Sequence, residues 1–465
     1  MRMGKFRTSS ENLQRIGRIQ SAFRRFLAVA VMAFALDGFC ANDTATKILR
    51  AERFQDFGTI LRLAHQLVLN TPSELPALTA VLDACVARDC KRNPPGNLRG
   101  ELVGPQLYEF AQAWIEFSGH NPRRARDRFE ALAKHPEYGW FGAYGLLHYA
   151  METENVSLLI SILQEVERFQ PQSKLIAETA VDALLLLAAL THNYERIPSL
   201  LASIKDHAPS HLLDQFYYLI WKDDLLGAKK IIDHYVTRFG YDHSVAVADI
   251  ELKSLTLPPR QALSESNHTL RKYPRYWGVR MAQVLLLVDL REDAKAKRFL
   301  ETGQGLPLRF AYVRLQREAS LFALNPVNTT NFLKKLDAIA PIYEDYPFFH
   351  VTAATALNHI NSPEAATNRL EIAEKQNPFY VSAMSQRASI AGKAGKTSEE
   401  IDLYRRIANT APHDVLKKIS LVHALYFSKD YAAVKKILAE IRMSKRYIHR
   451  DYIDLIENEM LQGLK

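Results

Sequence analysis

The chain has 465 residues, 48% hydrophobic and 24% charged, with 60 Lys and Arg against 51 Asp and Glu for a formal net charge of +9. That much apolar material buries a large core and excludes a disordered chain. Three cysteines exclude a disulfide-dense scaffold or a multi-cysteine zinc protein, and 19 glycines are poor material for glycine-rich cofactor loops but good material for helices.

Residues 1–25 carry Arg2, Lys5, Arg7, Arg15, Arg18, Arg24 and Arg25 against the single acid Glu11, and the apolar run Phe26–Leu36 follows. A spanning helix needs about 20 apolar residues, so the run is short for one. Basic head, short apolar run and small-residue exit predict a secretory signal peptide over 1–40, with a signal anchor as the uncleaved alternative. Gly38 and Cys40 are spaced for cleavage after Cys40, while Asp37 makes Cys40 a poor lipidation site and Arg24-Arg25-Phe26 gives only a hint of a twin-arginine signal. The expected location is the periplasm or cell envelope, or the membrane surface if the leader stays attached. Residues 1–40 hold a net +5, so the remaining 425 residues carry only +4. That near balance argues against an array reading RNA, which wants a basic groove.

Residues 41–92 read as a helical segment, with Ile60, Leu61, Ala64, Leu67 and Val68 on one face before Pro72. Asn93-Pro-Pro-Gly-Asn-Leu-Arg-Gly100 interrupts the pattern, which places a loop or insertion at 93–104. Beyond it, Pro136, Pro171, Pro209, Gly240, Pro274, Pro307, Pro341, Pro378 and Pro412 recur at spacings of 31 to 38 residues. Each is expected to stop a helix. Eight residues before five of these prolines stand Leu163, Leu201, Leu333, Leu370 and Tyr404; five before stand Val166, Ile204, Leu336, Ala373 and Ile407. Places three apart share one helix face. Each unit therefore reads as two amphipathic helices and a short turn. The clearest has one helix over about Phe348–His359, a turn at Asn361-Ser362-Pro363 with Ser362 as the cap, and a second helix to about Gln376. Tyr447 to Leu464 reads as a closing helix.

Ala354, Leu357, Ala366, Leu370, Ala373 and Pro378 place small and large residues as the tetratricopeptide repeat does, and this unit resembles that family. The next unit keeps Ala388, Tyr404, Ile407 and Pro412 with Glu400 at a small position, and an earlier one has Ala228, Ile232, Tyr235 and Gly240. The resemblance covers roughly residues 105–446, with 447–465 as the cap. It implies an all-α, right-handed superhelical solenoid of stacked antiparallel helix pairs, whose first helices line a concave face that binds proteins or peptides. First-helix polar residues not committed to packing are then the binding candidates: Tyr276, Gln283, Thr355, Asn358, His359, Ser385 and Ser389. The resemblance extends to a class of exported scaffolds in secretion, polysaccharide export and outer-membrane assembly.

No segment carries a catalytic, metal or cofactor signature. Gly392-Lys-Ala-Gly395-Lys396-Thr397 looks like the end of a phosphate loop, but Ile390 stands where the motif needs glycine, and the repeat period places a helix turn there. His207 and His211 are separated by Pro209, which breaks a shared helix face. Cys85 and Cys90 form either a short-loop disulfide, if the chain is exported, or two thiols. Tyr138, Trp140, Phe141, Tyr144 and Tyr149, then Phe216, Tyr217, Tyr218 and Trp221, are packing residues or, alternatively, an aromatic platform for a carbohydrate or other ligand. Asn155, Asn267 and Asn328 begin glycosylation sequons. The chain reads as a non-enzymatic scaffold.

Overall fold

The computed structural model describes residues 43–53, 56–70, 72–88, 104–169, 173–204, 208–273, 276–302, 310–410, 412, 414–443 and 458. The expected leader, nearly all of the 93–104 loop, the closing helix apart from Asn458, and Pro171, Pro274 and Pro307 lie outside them. Among the described residues there are 23 α-helices and no strand. Three opening helices, α1 (Asp43–Arg53), α2 (Phe57–Leu63) and α3 (Leu75–Arg88), precede ten helix pairs. The pairs are α4 (Pro105–Ile115) with α5 (Pro122–Ala133), α6 (Gly139–Thr153) with α7 (Val156–Val166), and α8 (Lys174–Leu190) with α9 (Ile197–Ala202). Then come α10 (Pro209–Trp221) with α11 (Leu225–Phe239), α12 (His243–Thr256) with α13 (Pro259–Lys272), and α14 (Trp277–Asp289) with α15 (Asp293–Glu301). The last four are α16 (Ala311–Leu324) with α17 (Thr329–Tyr343), α18 (Pro347–His359) with α19 (Pro363–Gln376), α20 (Val381–Lys393) with α21 (Thr397–Thr410), and α22 (Val415–Phe427) with α23 (Tyr431–Arg442). The fold is an all-α solenoid of stacked helix pairs.

Most of the described period-marking residues sit in turns, but two do not. Pro209 opens α10 as a first-turn proline, where its missing N–H costs nothing. Pro341 lies inside α17, which continues to Tyr343. Ser362 holds the cap position of α19, but its hydroxyl makes no capping bond.

The turn inside a pair repeats one geometry. Glu154, His192, Asp223, Arg291, Asn361, Gly395 and Lys429 all have φ between +54° and +75°. In six of these turns the next residue's N–H reaches back to the first helix: Asn193 to Ala188, Asp224 to Leu219, Glu292 to Leu287, Ser362 to Leu357, Lys396 to Ala391 and Asp430 to Leu425. This is the Schellman closure, which satisfies carbonyls a helix end would leave bare. It also settles the Gly392–Thr397 stretch as a helix turn.

Small residues set the approach of neighbouring helices, between pairs where α6 meets α5 and within the pair of α18 and α19. A Cβ on Gly142 would overlap the backbone at Phe129 and Ala133, and one on Gly145 would overlap the Phe129 ring. Ala354, Ala366, Leu370 and Ala373 are all fully buried in the α18–α19 pair.

Hydrogen bonds between distant described residues span 186 to 223 positions, about six units of the ~34-residue repeat. The opening helices and the units through α8 thus meet units about a full turn later, where successive turns of the solenoid touch. Arg53 bonds Asp242 and the Phe239 carbonyl, and Arg314 donates to the Gly119 carbonyl. Asp345 accepts from Arg126 (2.8 Å), Tyr149 (2.7 Å) and Arg123 (3.2 Å), while Asn155 donates to its carbonyl. Tyr346 donates to Glu152, Asn377 to the Glu154 carbonyl, and Ser157 to the Lys375 carbonyl. This seam, rich in hydrogen bonds, makes first helices unusually enclosed. α12 is buried from His243 through Leu252 and α14 from Trp277 through Val288, whereas α11 buries only Ala228, Ile232 and Tyr235.

Candidate functional site

An open groove runs across three consecutive first helices, α16, α18 and α20. Aromatic residues precede each of them: Phe310, Tyr346 and Tyr380. Tyr346 and Tyr380 are deeply buried, which pins the start of each helix. Equal steps from these pins then reach equivalent places, so Ala319, Thr355 and Ser389, nine residues on, form a row. His423 continues it on α22, and burial pushes its imidazole down to about 4.

The groove, a cavity of about 40 Å³ open to solvent, lies between Ala319, Ser320, Phe322 and Ala323 of α16, Phe348, Val351, Thr352 and Thr355 of α18, and Ser382 and Gln386 of α20. Phe322, Phe348 and Val351 give it apolar walls. Thr352 and Thr355 donate to the Phe348 and Val351 carbonyls of their own helix, at 2.9 Å each. The Gln386 amide donates to Thr355 Oγ1 (2.6 Å) and to the Val351 carbonyl (3.3 Å), tying α20 to α18. The lining carries hydroxyls, one amide and apolar surface, with no acid or base among its residues. Such a surface holds a ligand by shape and hydrogen bonds and supplies no proton-transfer group.

The sequence candidates divide. Thr355 lines the groove; Asn358, Ser385 and Ser389 are half-buried and His359 is exposed on the same helices, with the His359 ring edge-on to Phe322. Tyr276 and Gln283 are instead out of a ligand's reach. The seam encloses α14, so the Tyr276 ring stacks on His243 at 4.3 Å with its hydroxyl toward the Arg53 carbonyl, and Gln283 is buried with its amide toward Asn267. The reasoning from sequence missed Ser320, Phe322, Phe348 and Gln386. Counting from Phe310, Tyr346 and Tyr380 would have found them, had those residues been recognised as helix pins.

Other candidates resolve by burial. Trp140, Phe141, Tyr144 and Tyr149 are buried against Phe110, Trp114, Phe117 and Tyr346, so the first aromatic cluster is core. In the second, Phe216 is buried, while Tyr217, Tyr218 and Trp221 are half-buried and Tyr194 stacks on Trp221 at 5.3 Å. His211 accepts the Ala208 N–H at Nδ1, so its Nε2 carries the proton and donates to Asp182 at 3.0 Å. His207 lies outside the described residues. Among the described residues no group of three or more His, Cys, Asp or Glu could hold a metal ion, and no helix is long and apolar enough to cross a membrane. Cys85 is buried, but Cys90 lies outside the described residues, and with it the disulfide. Asn155 is buried, caps α7 and binds Asp345, which leaves its amide unfit for glycosylation in the fold.

Among solved structures, the chain is similar to that of the anaphase-promoting complex hetero-tetramer Cut9-Hcn1, at 11% identity over 84% of this chain and 77% of that one with a TM-score of 0.49. It is similar to yeast Tom70 at 11% identity over 89% and 96% with a TM-score of 0.36. It is also similar to IFIT1, in a monomeric mutant with Gppp-AAAA, at 11% identity over 65% and 69% with a TM-score of 0.30. No protein-family model matches the chain, and no curated protein does either.

Proposed function

We propose that the protein is a non-enzymatic scaffold that holds other proteins or peptides against the groove of α16, α18 and α20. One observation carries this reading: three stacked first helices present an open groove, with a cavity of about 40 Å³, whose lining has hydrogen-bonding groups but no acid or base. Thr355, Asn358, His359, Ser385 and Ser389 are the binding residues proposed. The basic head and apolar run of 1–40 support a place outside the cytoplasm, in a bacterial cell envelope, among secretion, polysaccharide-export or outer-membrane assembly machinery. Neither cofactor nor nucleic acid belongs to this reading. The test places a photo-crosslinking amino acid at His359 or Ser385 in the native host and identifies what is captured. Specific protein partners, lost when the crosslinker moves to the outer face of α21, are expected; no partner above background overturns the scaffold. Fractionation and N-terminal sequencing of the same cells test export, which a cytoplasmic chain retaining Met1 would refute.

A further inference from the structure

We propose that this groove is an anchor pocket for one compact aliphatic side chain on an extended, uncharged segment of a partner protein, whose flanking peptide groups bond Ser320 and Gln386. The proposal rests on the scaffold reading and specifies the chemistry of its partner.

The polar ends come first. Ser320 is 4% exposed and lines the groove, and among the described residues its hydroxyl makes no hydrogen bond. The hydroxyl opens to the solvent of the groove, so a ligand group can replace water there without breaking a bond within the protein. Gln386 is 5% exposed, and its orientation is fixed by its neighbours. The Val351 carbonyl can only accept, so the amide nitrogen faces it, and Thr355 already donates to that carbonyl and must accept from the same nitrogen. The Gln386 Oε1 therefore turns away from both, and no described residue donates to it. Ser320 and Gln386 thus offer a hydroxyl and an acceptor from α16 and α20, on either side of α18.

The apolar part lies between them. Phe322, Phe348 and Val351 form walls and Ala319 and Ala323 leave room, with a cavity volume of about 40 Å³. That space suits one aliphatic side chain and not the face of a helix. A helix would also arrive with its central N–H and C=O groups already bonded to each other. An extended segment crossing α18 keeps those groups free for Ser320 and Gln386. No charged side chain lines the groove, so a Lys or Asp entering it would lose hydration and gain no counter-ion. The uncharged lining therefore selects an uncharged segment.

The test uses the full chain and end-capped nonapeptides of Ala and Ser that differ only at the centre: Leu, Lys or Asp. A fourth peptide carries photoreactive leucine there. Its crosslinks are expected on α16 and α18 beside the cavity, and the Leu peptide should compete at least tenfold better than the Lys and Asp peptides. Ser320→Ala and Gln386→Leu should each weaken binding roughly three- to tenfold, the range of one hydrogen bond. Ala323→Phe should fill the cavity and abolish crosslinking, with the circular dichroism spectrum unchanged. Crosslinks elsewhere, equal competition by charged peptides, or wild-type binding by folded Ala323→Phe and Gln386→Leu overturns the pocket. Native partners still captured by folded Ala323→Phe would sink the pocket and spare the scaffold. No native partner at all would sink the scaffold, whatever the peptides do.

Discussion

The first helices of the middle units and those of the last units occupy equivalent places in the repeat and meet different surroundings. α12 and α14 are buried over ten and twelve consecutive residues and α18 over the ten from Pro347 to Ala356, yet α16, α18 and α20 also border an open groove. Both regions touch another turn at the start of a first helix, α18 through Asp345 and Tyr346. Around α12 and α14 the opening helices arrive through Arg53, which lies against Asp242 and whose carbonyl accepts from His243. In a solenoid this tight, being on the concave side does not make a residue available. What counts is whether another turn covers it.

Breaking the seam should have the largest effect. Arg53 and Asp242 form an ion pair buried on both sides, and Asp242 also accepts from Tyr235 and caps α12 through Ser244 and Val245. Arg53→Ala would leave that carboxylate buried without its counter-ion, a loss of about 3–5 kcal/mol in urea unfolding. Asp345→Ala removes the acceptor shared by Arg126, Arg123 and Tyr149. It should cost about 2–4 kcal/mol and raise the radius of gyration in solution scattering as the turns part. An unchanged radius would show that the apolar packing alone keeps the turns together. At the exposed pair Arg405–Asp402 the equivalent change should cost under about 0.5 kcal/mol.

Next comes the packing of neighbouring helices. Gly142→Ala pushes a methyl into the α5 backbone and should destabilise by about 2–3 kcal/mol. At Ala354, the small residue of the open region, removing the methyl should cost only about 1 kcal/mol, chiefly through helix propensity. Equal losses at the two sites would mean that the α5–α6 and α18–α19 contacts are packed to the same tolerance.

Titration tests the burial of acids in the enclosed region. Burial raises the carboxyls of Asp83 to about 6, Asp289 to about 7, and Glu152 and Asp214 to about 8. All four belong to the enclosed part of the chain. The fold keeps protons on them that the unfolded chain has already released above its ordinary carboxyl range near pH 4. Stability is therefore fullest below about pH 4, falls as pH climbs above that range and levels off as pH passes each raised value between 6 and 8, a loss of about 2 kcal/mol between pH 5 and 8.5 once the solvent that reaches these groups is allowed for. Glu152→Gln with Asp214→Asn should flatten that slope in a series of denaturation midpoints. A midpoint rising with pH would contradict the burial of these acids.

Much of this architecture was legible in the chain. The spacing of Pro378, Leu370, Ala373 and Ala366 gave α18 and α19 nearly to the residue, because small and large residues at helical spacing encode the crossing of two helices. The seam was not legible. Asp345 and Arg126 are ordinary surface residues by type, and 219 positions separate them; only the pitch of the solenoid brings them together. For the same reason Tyr276 and Gln283 read as groove residues and proved enclosed, whereas Thr355, in the equivalent helix two units later, lines the open site. Ser320 and Gln386 were hidden because a serine and a glutamine carry no motif, and their meaning lies in what does not bond to them.

The last expected effect is also a control on the comparison, because it ignores the seam. Arg291 closes a turn in the enclosed region and Lys429 one in the open region, with φ of 59° and 67°. Both turns make the same backward hydrogen bond, from Glu292 to Leu287 and from Asp430 to Leu425. A side chain with a Cβ pays steric strain in this left-handed conformation, and glycine does not. Arg291→Gly and Lys429→Gly should therefore each stabilise the fold by about 0.5–1 kcal/mol, less what glycine adds to the entropy of the unfolded chain. Gly395→Ala, in the equivalent turn of α20, should destabilise by a similar amount. The two gains should match, since each is settled within its own hairpin. A gain at Lys429 alone would mean that the inter-turn packing around α14 constrains the Arg291 turn, and that enclosure reaches from the concave face out to the loops.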